Sequence, residues 1–193
     1  MSRQERYGNP PAPASAEVVR QAVDAAHRLG VPRDYGRTRS LRRVPEPRRL
    51  VAICNDTQGR PQMLAPSAAR AWTRMVAAAT HDGVVLQVVS AYRSTAYQLG
   101  ILQRKLERGQ PIEEILRVSA APGYSEHHSG RALDITTPGF TALEEEFEQS
   151  PAFAWLGANA ARFGFRLSYP RGNRHGIAFE PWHWCWHEKR RLR

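Results

Sequence analysis

The sequence lacks the long apolar segments that would place it in a membrane or mark a standard export signal. No run of about 18 apolar residues occurs, so a transmembrane helix is not expected. Residues 1–10 contain no apolar core of the kind found in signal peptides. We therefore expect a chain that is cytoplasmic or released by a non-Sec route, with a periplasmic or cell-wall location still open.

Cysteine is scarce, with only Cys54 and Cys185, and their separation is not the C-x-x-C spacing of a metal ribbon. The two could form a disulfide only if the fold brought their Cα atoms within about 7 Å. We expect two buried free thiols instead.

Lysine occurs only twice, so the formal net charge of +10 comes almost entirely from arginine. Residues 1–60 hold twelve Arg against six Asp and Glu, and residues 189–193 add four basic residues. This excess suits an anionic partner such as nucleic acid, anionic lipid or a cell-wall polymer, although a solvated basic surface explains it more simply. No base-reading motif accompanies the charge, so a specific nucleic-acid partner is not expected.

The hydrophobic pattern predicts an α+β fold in which helices flank a small, mostly antiparallel sheet. Helical spacing is found over residues 15–29, 67–80, 94–108, 112–118 and 150–162. Short strands are predicted over residues 50–54, 84–90, 131–136, 165–168 and 177–180, with 84–90 suited to a central position. We divide the 193 residues into a basic N-terminal extension with one helix, 1–49, and a motif-bearing domain, 50–193. Residues 31–49 form an irregular arm in this prediction.

Two short segments carry the chemistry: one contains His127 and Asp134, and the other contains Glu180 and His183. Two imidazoles and a carboxylate are the three protein ligands of a catalytic zinc that keeps its fourth position open. Such an ion lowers the pKa of a water toward about 7, and a neighbouring carboxylate can then act as general base. The sequence therefore predicts a catalytic zinc site.

The spacing of these residues requires the chain to bend within each segment. His127 and Asp134 are an odd number of residues apart and would face opposite sides of one flat strand. We place His127 in a loop, Asp134 on the following strand, and the bend at Gly130. His128 is the obvious rival ligand, but it points the other way if the local chain is extended.

These segments resemble the signatures S-x-H-x-x-G-x-A-x-D and E-x-W-H of the VanY/VanX-type D-alanyl-D-alanine carboxypeptidases, relatives in fold of lysostaphin and the Hedgehog amino-terminal domain. Residues 90–94 look like the S-x-Y-R-S segment of that family, and residues 164–170 are similar to a segment of its carboxypeptidase members. The resemblance spans about residues 50–187. It implies a Hedgehog/D-Ala-D-Ala peptidase-like fold and makes residues 50–193 a zinc peptidase domain.

The resemblance also implies a role for each matching residue. One Zn²⁺ per chain would be held by His127, Asp134 and His183. Glu180 would be the general base, and Arg93 would polarise the scissile carbonyl and stabilise the oxyanion. The substrate would contact Ser125, Tyr92 and Gln98.

The expected activity is removal of a C-terminal D-alanine from peptidoglycan stem peptides or their precursors by a monomeric enzyme. A peptidoglycan endopeptidase or endolysin, a D-Ala-D-Ala dipeptidase, and a zinc-containing binding module without turnover remain alternatives, and D,D versus L,D preference stays open. The sequence departs from many carboxypeptidase members after His183, where they continue with an Arg and a Tyr. Here Trp184 is followed by Cys185 and Trp186.

Overall fold

The computed structural model describes residues 14–56 and 58–188, and its elements alternate between helices and short strands. The α-helices are α1 (Ala16–Arg28), α2 (Tyr35–Thr38), α3 (Pro66–His81), α4 (Thr95–Glu107), α5 (Ile112–Val118) and α6 (Pro151–Asn159). The strands are β1 (Val51–Asn55), β2 (Pro61–Leu64), β3 (Gln87–Ser90), β4 (Ala132–Thr136), β5 (Phe165–Leu167) and β6 (His183–Trp186). Three 3-10 turns cover Glu126–Ser129, Glu145–Gln149 and Ala160–Phe163. The predicted α+β class is confirmed.

The strands form two antiparallel sheets. β1 and β2 make a hairpin, and the larger sheet has the order β3-β4-β6-β5 with every neighbouring pair antiparallel. The strand predicted to be central, residues 84–90, is shorter and lies at the edge of this sheet as β3. The central strands are β4 and β6, and all five residues of β4 are buried.

One face of the larger sheet packs on helices α3 and α6 to form the main core. Leu133, Ile135 and Trp184 point into it from β4 and β6, and Trp72 and Met75 reach it from α3. Because side chains alternate along a strand, Asp134, His183 and Cys185 lie on the opposite face. That opposite face carries the polar residues of both sequence motifs.

The N-terminal helix and the arm pack on α4 and α5 through a second apolar cluster. This cluster includes Ala26, Tyr35, Leu102, Ile115 and Tyr124. The arm holds the short helix α2, which the sequence did not predict, and the domain boundary at residue 49 stays a prediction. No helix in the described parts of the chain is long and apolar enough to cross a bilayer.

Serine side chains cap three of the six α-helices in the described parts of the chain. The hydroxyls of Ser15, Ser94 and Ser150 accept hydrogen bonds from the backbone of the first turns of α1, α4 and α6. The expected cap at Ser67 is wrong, because α3 begins one residue earlier with Pro66 at its first position.

Three further predictions need correction. Residues 177–180 are not a strand, because the last strand of the sheet begins only at His183. Strand β2 was not predicted, since its sequence Pro-Gln-Met-Leu lacks β-branched residues. Both cysteines are free thiols as expected, but only Cys185 is buried, whereas Cys54 is exposed on β1.

Candidate active site

The pairing of β4 with β6 brings two of the predicted metal ligands together. Asp134 and His183 are direct partners in the antiparallel register, and directly opposite side chains share one face with Cβ atoms about 5 Å apart. The Asp134 Oδ1 to His183 Nδ1 distance is 3.0 Å. Both side chains are almost completely buried, so the pair forms a fixed polar element in the sheet.

The third predicted ligand, His127, lies on the 3-10 turn that precedes β4. This turn ends at Gly130, whose φ of +62° is the left-handed conformation that the predicted bend requires. A Cβ at Gly130 would lie 2.9 Å from the backbone nitrogen of Ala65, and the Ala65 N–H donates to the Gly130 carbonyl. The turn places His127 Nε2 at 3.3 Å from Asp134 Oδ2.

The ring nitrogens of the two histidines are oriented by groups on their far sides. His127 Nδ1 is hydrogen-bonded to the Ala91 carbonyl, and His183 Nε2 is 2.9 Å from Glu126 Oε2. These bonds turn His127 Nε2 and His183 Nδ1 toward Asp134, in the manner usual for metal-binding histidines. Among the described residues, buried His127 Nε2 has no partner that meets hydrogen-bond geometry, although it lies 3.3 Å from Asp134 Oδ2.

One ligand atom from each of His127, Asp134 and His183 lies within 4.8 Å of the other two. Burial opposes a charge on His183, yet the Asp134 and Glu126 carboxylates outweigh burial and raise the pKa of His183 to about 10. The Asp134 carboxylate would also favour a cation bound between the three ligand atoms. Nitrogen and oxygen donors in this number fit Zn²⁺.

His128 is also buried, but both of its ring nitrogens have other partners. Nδ1 is 2.7 Å from the Arg93 carbonyl, and Nε2 accepts the Gly123 N–H at 3.1 Å. His128 therefore has no nitrogen left for a metal, and it braces the turn that carries His127.

Glu180 lies beside the triad without being part of it. Its Oε2 is 3.8 Å from His183 Nδ1, and the residue is 9% exposed. A turn at Pro181 fixes this separation, because the His183 N–H donates to the Glu180 carbonyl at 3.1 Å. Burial, aided by the Asp134 and Glu126 carboxylates and opposed by His183 and Arg93, raises the pKa of Glu180 to about 7. A carboxyl with such a pKa can both take up and return a proton near neutral pH.

Arg93 approaches the triad from the segment between β3 and α4. Its Nη2 is 3.4 Å from Asp134 Oδ2, and its buried Nε makes no hydrogen bond in the described structure. Arg93 lines a narrow cavity of about 40 Å³ that also borders His127, Glu180 and His183. A guanidinium in this position can donate to a negative oxygen formed inside the cavity.

Two of the predicted substrate-binding residues line this cavity. Ser125 is 4% exposed and precedes the His127 turn. Gln98 donates through Nε2 to Ser119 Oγ at 2.8 Å and to the Ala120 carbonyl at 2.9 Å. Its buried Oε1 makes no hydrogen bond among the described residues, which leaves an acceptor at the cavity wall.

Tyr92, the third predicted substrate-binding residue, is not among the residues that line the cavity. Its hydroxyl donates to the Glu46 carboxylate of the arm, and burial together with this carboxylate raises its pKa. Contact of Tyr92 with substrate stays a prediction.

Sequence reasoning missed two residues of the site. Glu126 orients His183, and only its position next to His127 hinted at a role. Tyr169 is 4% exposed, lines the cavity, and has its ring centroid 4.8 Å from that of His183. Tyr169 belongs to the segment 164–170 that resembled carboxypeptidases, so a signal was present.

Comparison with known proteins shows the family to which the chain belongs. The family model of VanY, D-alanyl-D-alanine carboxypeptidase, matches residues 61–189. The chain belongs to the VanY family. Among its relatives, a D-alanyl-D-alanine carboxypeptidase of Enterococcus faecalis is 35% identical over 117 residues, which is 55% of this chain and 42% of that protein. The chain thus spans about two fifths of the length of this relative.

Solved structures of VanY-type enzymes have the same fold. The LD-carboxypeptidase LdcB superposes with a TM-score of 0.66 at 31% identity, over 75% of this chain and 71% of that one. A mutant of the D,D-pentapeptidase VanY, solved in complex with Zn(II), superposes with a TM-score of 0.58 at 28% identity, over 75% of this chain and 82% of that one. The fold expected from the sequence motifs is confirmed.

Proposed function

We propose that this VanY-family chain is a zinc-dependent carboxypeptidase that removes a C-terminal D-alanine from peptidoglycan stem peptides. The observation that carries the proposal is the buried Glu180 carboxyl 3.8 Å from His183 Nδ1, beside the His127, Asp134 and His183 triad. A metal with a purely structural role needs no such neighbour. A catalytic one needs a base that does not ligate the ion.

When bound at the triad, Zn²⁺ supplies Lewis acidity that acidifies a water and polarises the scissile carbonyl. Glu180 takes the proton from the attacking water and returns it to the amine of the departing D-alanine. Arg93 donates hydrogen bonds to the oxyanion that develops on the carbonyl oxygen. Glu126 and the Ala91 carbonyl keep both imidazoles in the required orientation.

The cavity supports a small substrate residue next to the bond that is cut. Its volume of about 40 Å³ is small, in keeping with an alanine at this position. Gln98 Oε1 and Ser125 are suited to hydrogen-bond the peptide near its C-terminus. One structural neighbour is an LD-carboxypeptidase and the other a D,D-pentapeptidase, so the similarity supports a carboxypeptidase without fixing the stereochemistry it prefers.

The test is mass spectrometry of synthetic muropeptide tetrapeptides and pentapeptides after incubation with zinc-loaded protein, with and without a chelator. We expect chelator-sensitive loss of one alanine. Loss from the pentapeptide indicates D,D specificity, whereas loss only from the tetrapeptide indicates L,D specificity. If neither peptide is cut while zinc is bound, the carboxypeptidase proposal is wrong, and cross-linked wall and free dipeptide become the next substrates to test.

The role of Glu180 is tested with Glu180→Gln, which keeps the shape of the side chain. We expect unchanged zinc binding and a rate lowered by about 10²–10⁴-fold, the usual contribution of general-base catalysis. Glu113→Gln, an exposed site on α5, is the matched control and should keep full activity. Full activity in Glu180→Gln would contradict the assignment.

We further propose that the protein is a monomer whose basic arm attracts an anionic cell-wall polymer. Among the exposed arginines of the arm, four form neither an ion pair nor a cation–π contact within residues 14–56 and 58–188: Arg33, Arg42, Arg48 and Arg49. Replacing all four with Gln should abolish salt-sensitive sedimentation with purified cell walls but leave cleavage of free peptides unchanged. Equal sedimentation of both proteins would refute this.

A further inference from the structure

A second group of metal-ligating side chains lies on the other side of Glu126 from the triad. One ligand atom from each of Glu126, Cys185 and His187 lies within 4.8 Å of the other two. We propose that these residues form a second site for a divalent transition metal of the Zn²⁺ class. The expectation of one ion per chain counted the triad alone.

The pleat of β6 produces this group. Side chains of a strand alternate between faces, so His183 and Cys185 lie on the same face of β6. His187, the first residue after β6, brings a ring nitrogen within 4.8 Å of the Cys185 sulfur. Trp184 points into the main core from the opposite face, which fixes the alternation. The sequence His-x-Cys-x-His thus delivers its first histidine to the triad, and its cysteine and second histidine to Glu126.

Glu126 connects the two sites. Its Oε2 is 2.9 Å from His183 Nε2, and its side chain is 26% exposed, whereas His183 is 3% exposed. A carboxylate has two oxygens and about four lone-pair positions, so it can hold His183 and still ligate an ion. The proposed ion and the triad would therefore share this carboxylate.

Cys185 supplies the ligand that distinguishes the new site from the triad. It is 4% exposed, and its sulfur makes a weak hydrogen bond of 3.8 Å to the Trp186 carbonyl and lies beside the Glu126 carboxylate. A thiolate, an imidazole and a carboxylate are all ligands that Zn²⁺ accepts, and a thiolate disfavours Mg²⁺ and Ca²⁺. With three protein ligands, the fourth position is left to water.

The surroundings leave room for an ion. Glu126, Cys185 and His187 border a cavity of about 390 Å³. Arg43 and Arg131 also line this cavity. Both arginines are positioned on aromatic rings: Arg43 Cζ is 4.8 Å from the Tyr124 centroid, and Arg131 Cζ is 5.6 Å from that of Trp186. Exposed His187 provides the side from which an ion can enter.

The experiment is titration of the metal-free full chain with Co²⁺, followed by absorption spectroscopy. Thiolate ligation gives cobalt a near-ultraviolet charge-transfer band, which histidine and carboxylate ligands do not produce. The triad contains no sulfur, so this band reports the second site alone. We expect two equivalents of bound Co²⁺ and a charge-transfer band that saturates with one of them.

The chain offers a matched control, because it contains only one other cysteine. Cys54→Ser, at an exposed position, should keep the band. Cys185→Ser should lose the band and one equivalent of metal while the triad retains the other. Absence of the band from the unaltered protein, or its persistence in Cys185→Ser, would overturn the proposal.

If Cys185→Ser fails to fold, His187→Ala tests the second site instead. His187 is exposed, so its replacement should leave the core intact. We expect the affinity read from the charge-transfer band to fall at least about 10-fold in this variant. An unchanged affinity would remove His187 from the site and overturn the three-ligand proposal. Metal binding at this site is measured without substrate, so the outcome is independent of whether stem peptides are cleaved.

Discussion

Glu46 links the N-terminal arm to the start of α4, and its removal tests how much this link stabilises the fold. Its carboxylate accepts hydrogen bonds from the Thr95 N–H at 2.7 Å, from the Ala14 N–H at 2.9 Å, and from the Tyr92 hydroxyl. Burial raises the pKa of Glu46, but these donors outweigh burial and hold the pKa below its usual value. The variant Glu46→Ala removes all three bonds at once.

The magnitude follows from the number of bonds. A hydrogen bond to a charged group contributes about 1.5–3 kcal/mol. Glu46 is only half-buried, so water can replace part of what is lost, and we expect a destabilisation of about 2–3 kcal/mol for the three together. For a protein of this size, each kcal/mol lowers the melting temperature by about 2–4 °C. The expected decrease in melting temperature is therefore roughly 4–12 °C.

Urea unfolding followed by tryptophan fluorescence measures this loss, with calorimetry for the melting temperature. The matched control is Glu17→Ala on α1, which removes the same charge from an exposed site and should change stability by less than about 0.5 kcal/mol. If Glu46→Ala is no less stable than Glu17→Ala, the arm is not held by this carboxylate, and the reasoning from buried hydrogen bonds fails.

Three other predictions concern the backbone, pH and the core. Gly130→Ala should cost at least about 1–2 kcal/mol in urea unfolding, because an L-residue is strained at a φ of +62° and its Cβ meets Ala65. Burial raises the pKa of Asp56, but hydrogen bonds chiefly from Arg60 hold it below the ordinary value of 3.8. The ionised Asp56 carboxylate therefore stabilises the fold above pH 3.8, and this stabilisation is lost as the pH falls further. In Asp56→Asn, the melting temperature should decrease less between neutral and acidic pH than in the unaltered protein. Trp184→Ala should loosen the register of β6 and weaken Zn²⁺ binding by about 10–100-fold in a chelator competition assay. The control is Trp155→Ala on α6, which should lower stability without changing the affinity for Zn²⁺.

Much of the fold could be predicted because its helices obey local rules. Ser94 and Ser150 cap the first turns of α4 and α6, so both helix starts are visible in the sequence. Gly164, in the left-handed conformation, ends the 3-10 turn after α6. Strand order could not be predicted, because it depends on contacts between distant segments. The β-branched segment 84–90 therefore looked central, although β4 and β6 occupy the centre.

For the site, too, local sequence patterns were informative and contacts between distant segments were not. The motifs predicted which residues meet, and the structure brings His127, Asp134 and His183 within 4.8 Å. What the sequence did not show is how each imidazole is oriented, because the Ala91 carbonyl and Glu126 lie on other segments and have no metal-ligand spacing of their own. These contacts depend on the register between strands and on the 3-10 turn.

The register between β4 and β6 positions both the triad and the ligands of the proposed second metal site. Asp134 faces His183 only in the observed pairing of β4 with β6, and a slip of one residue would turn every side chain of β6 to the other face. Trp184 opposes such a slip, because its buried indole would have to leave the main core and polar side chains would have to enter it. The same constraint that holds His183 at the triad therefore also holds Cys185 beside Glu126. A substitution outside both groups of ligands that keeps the β4–β6 register, and with it the triad, should therefore also keep Cys185 beside Glu126.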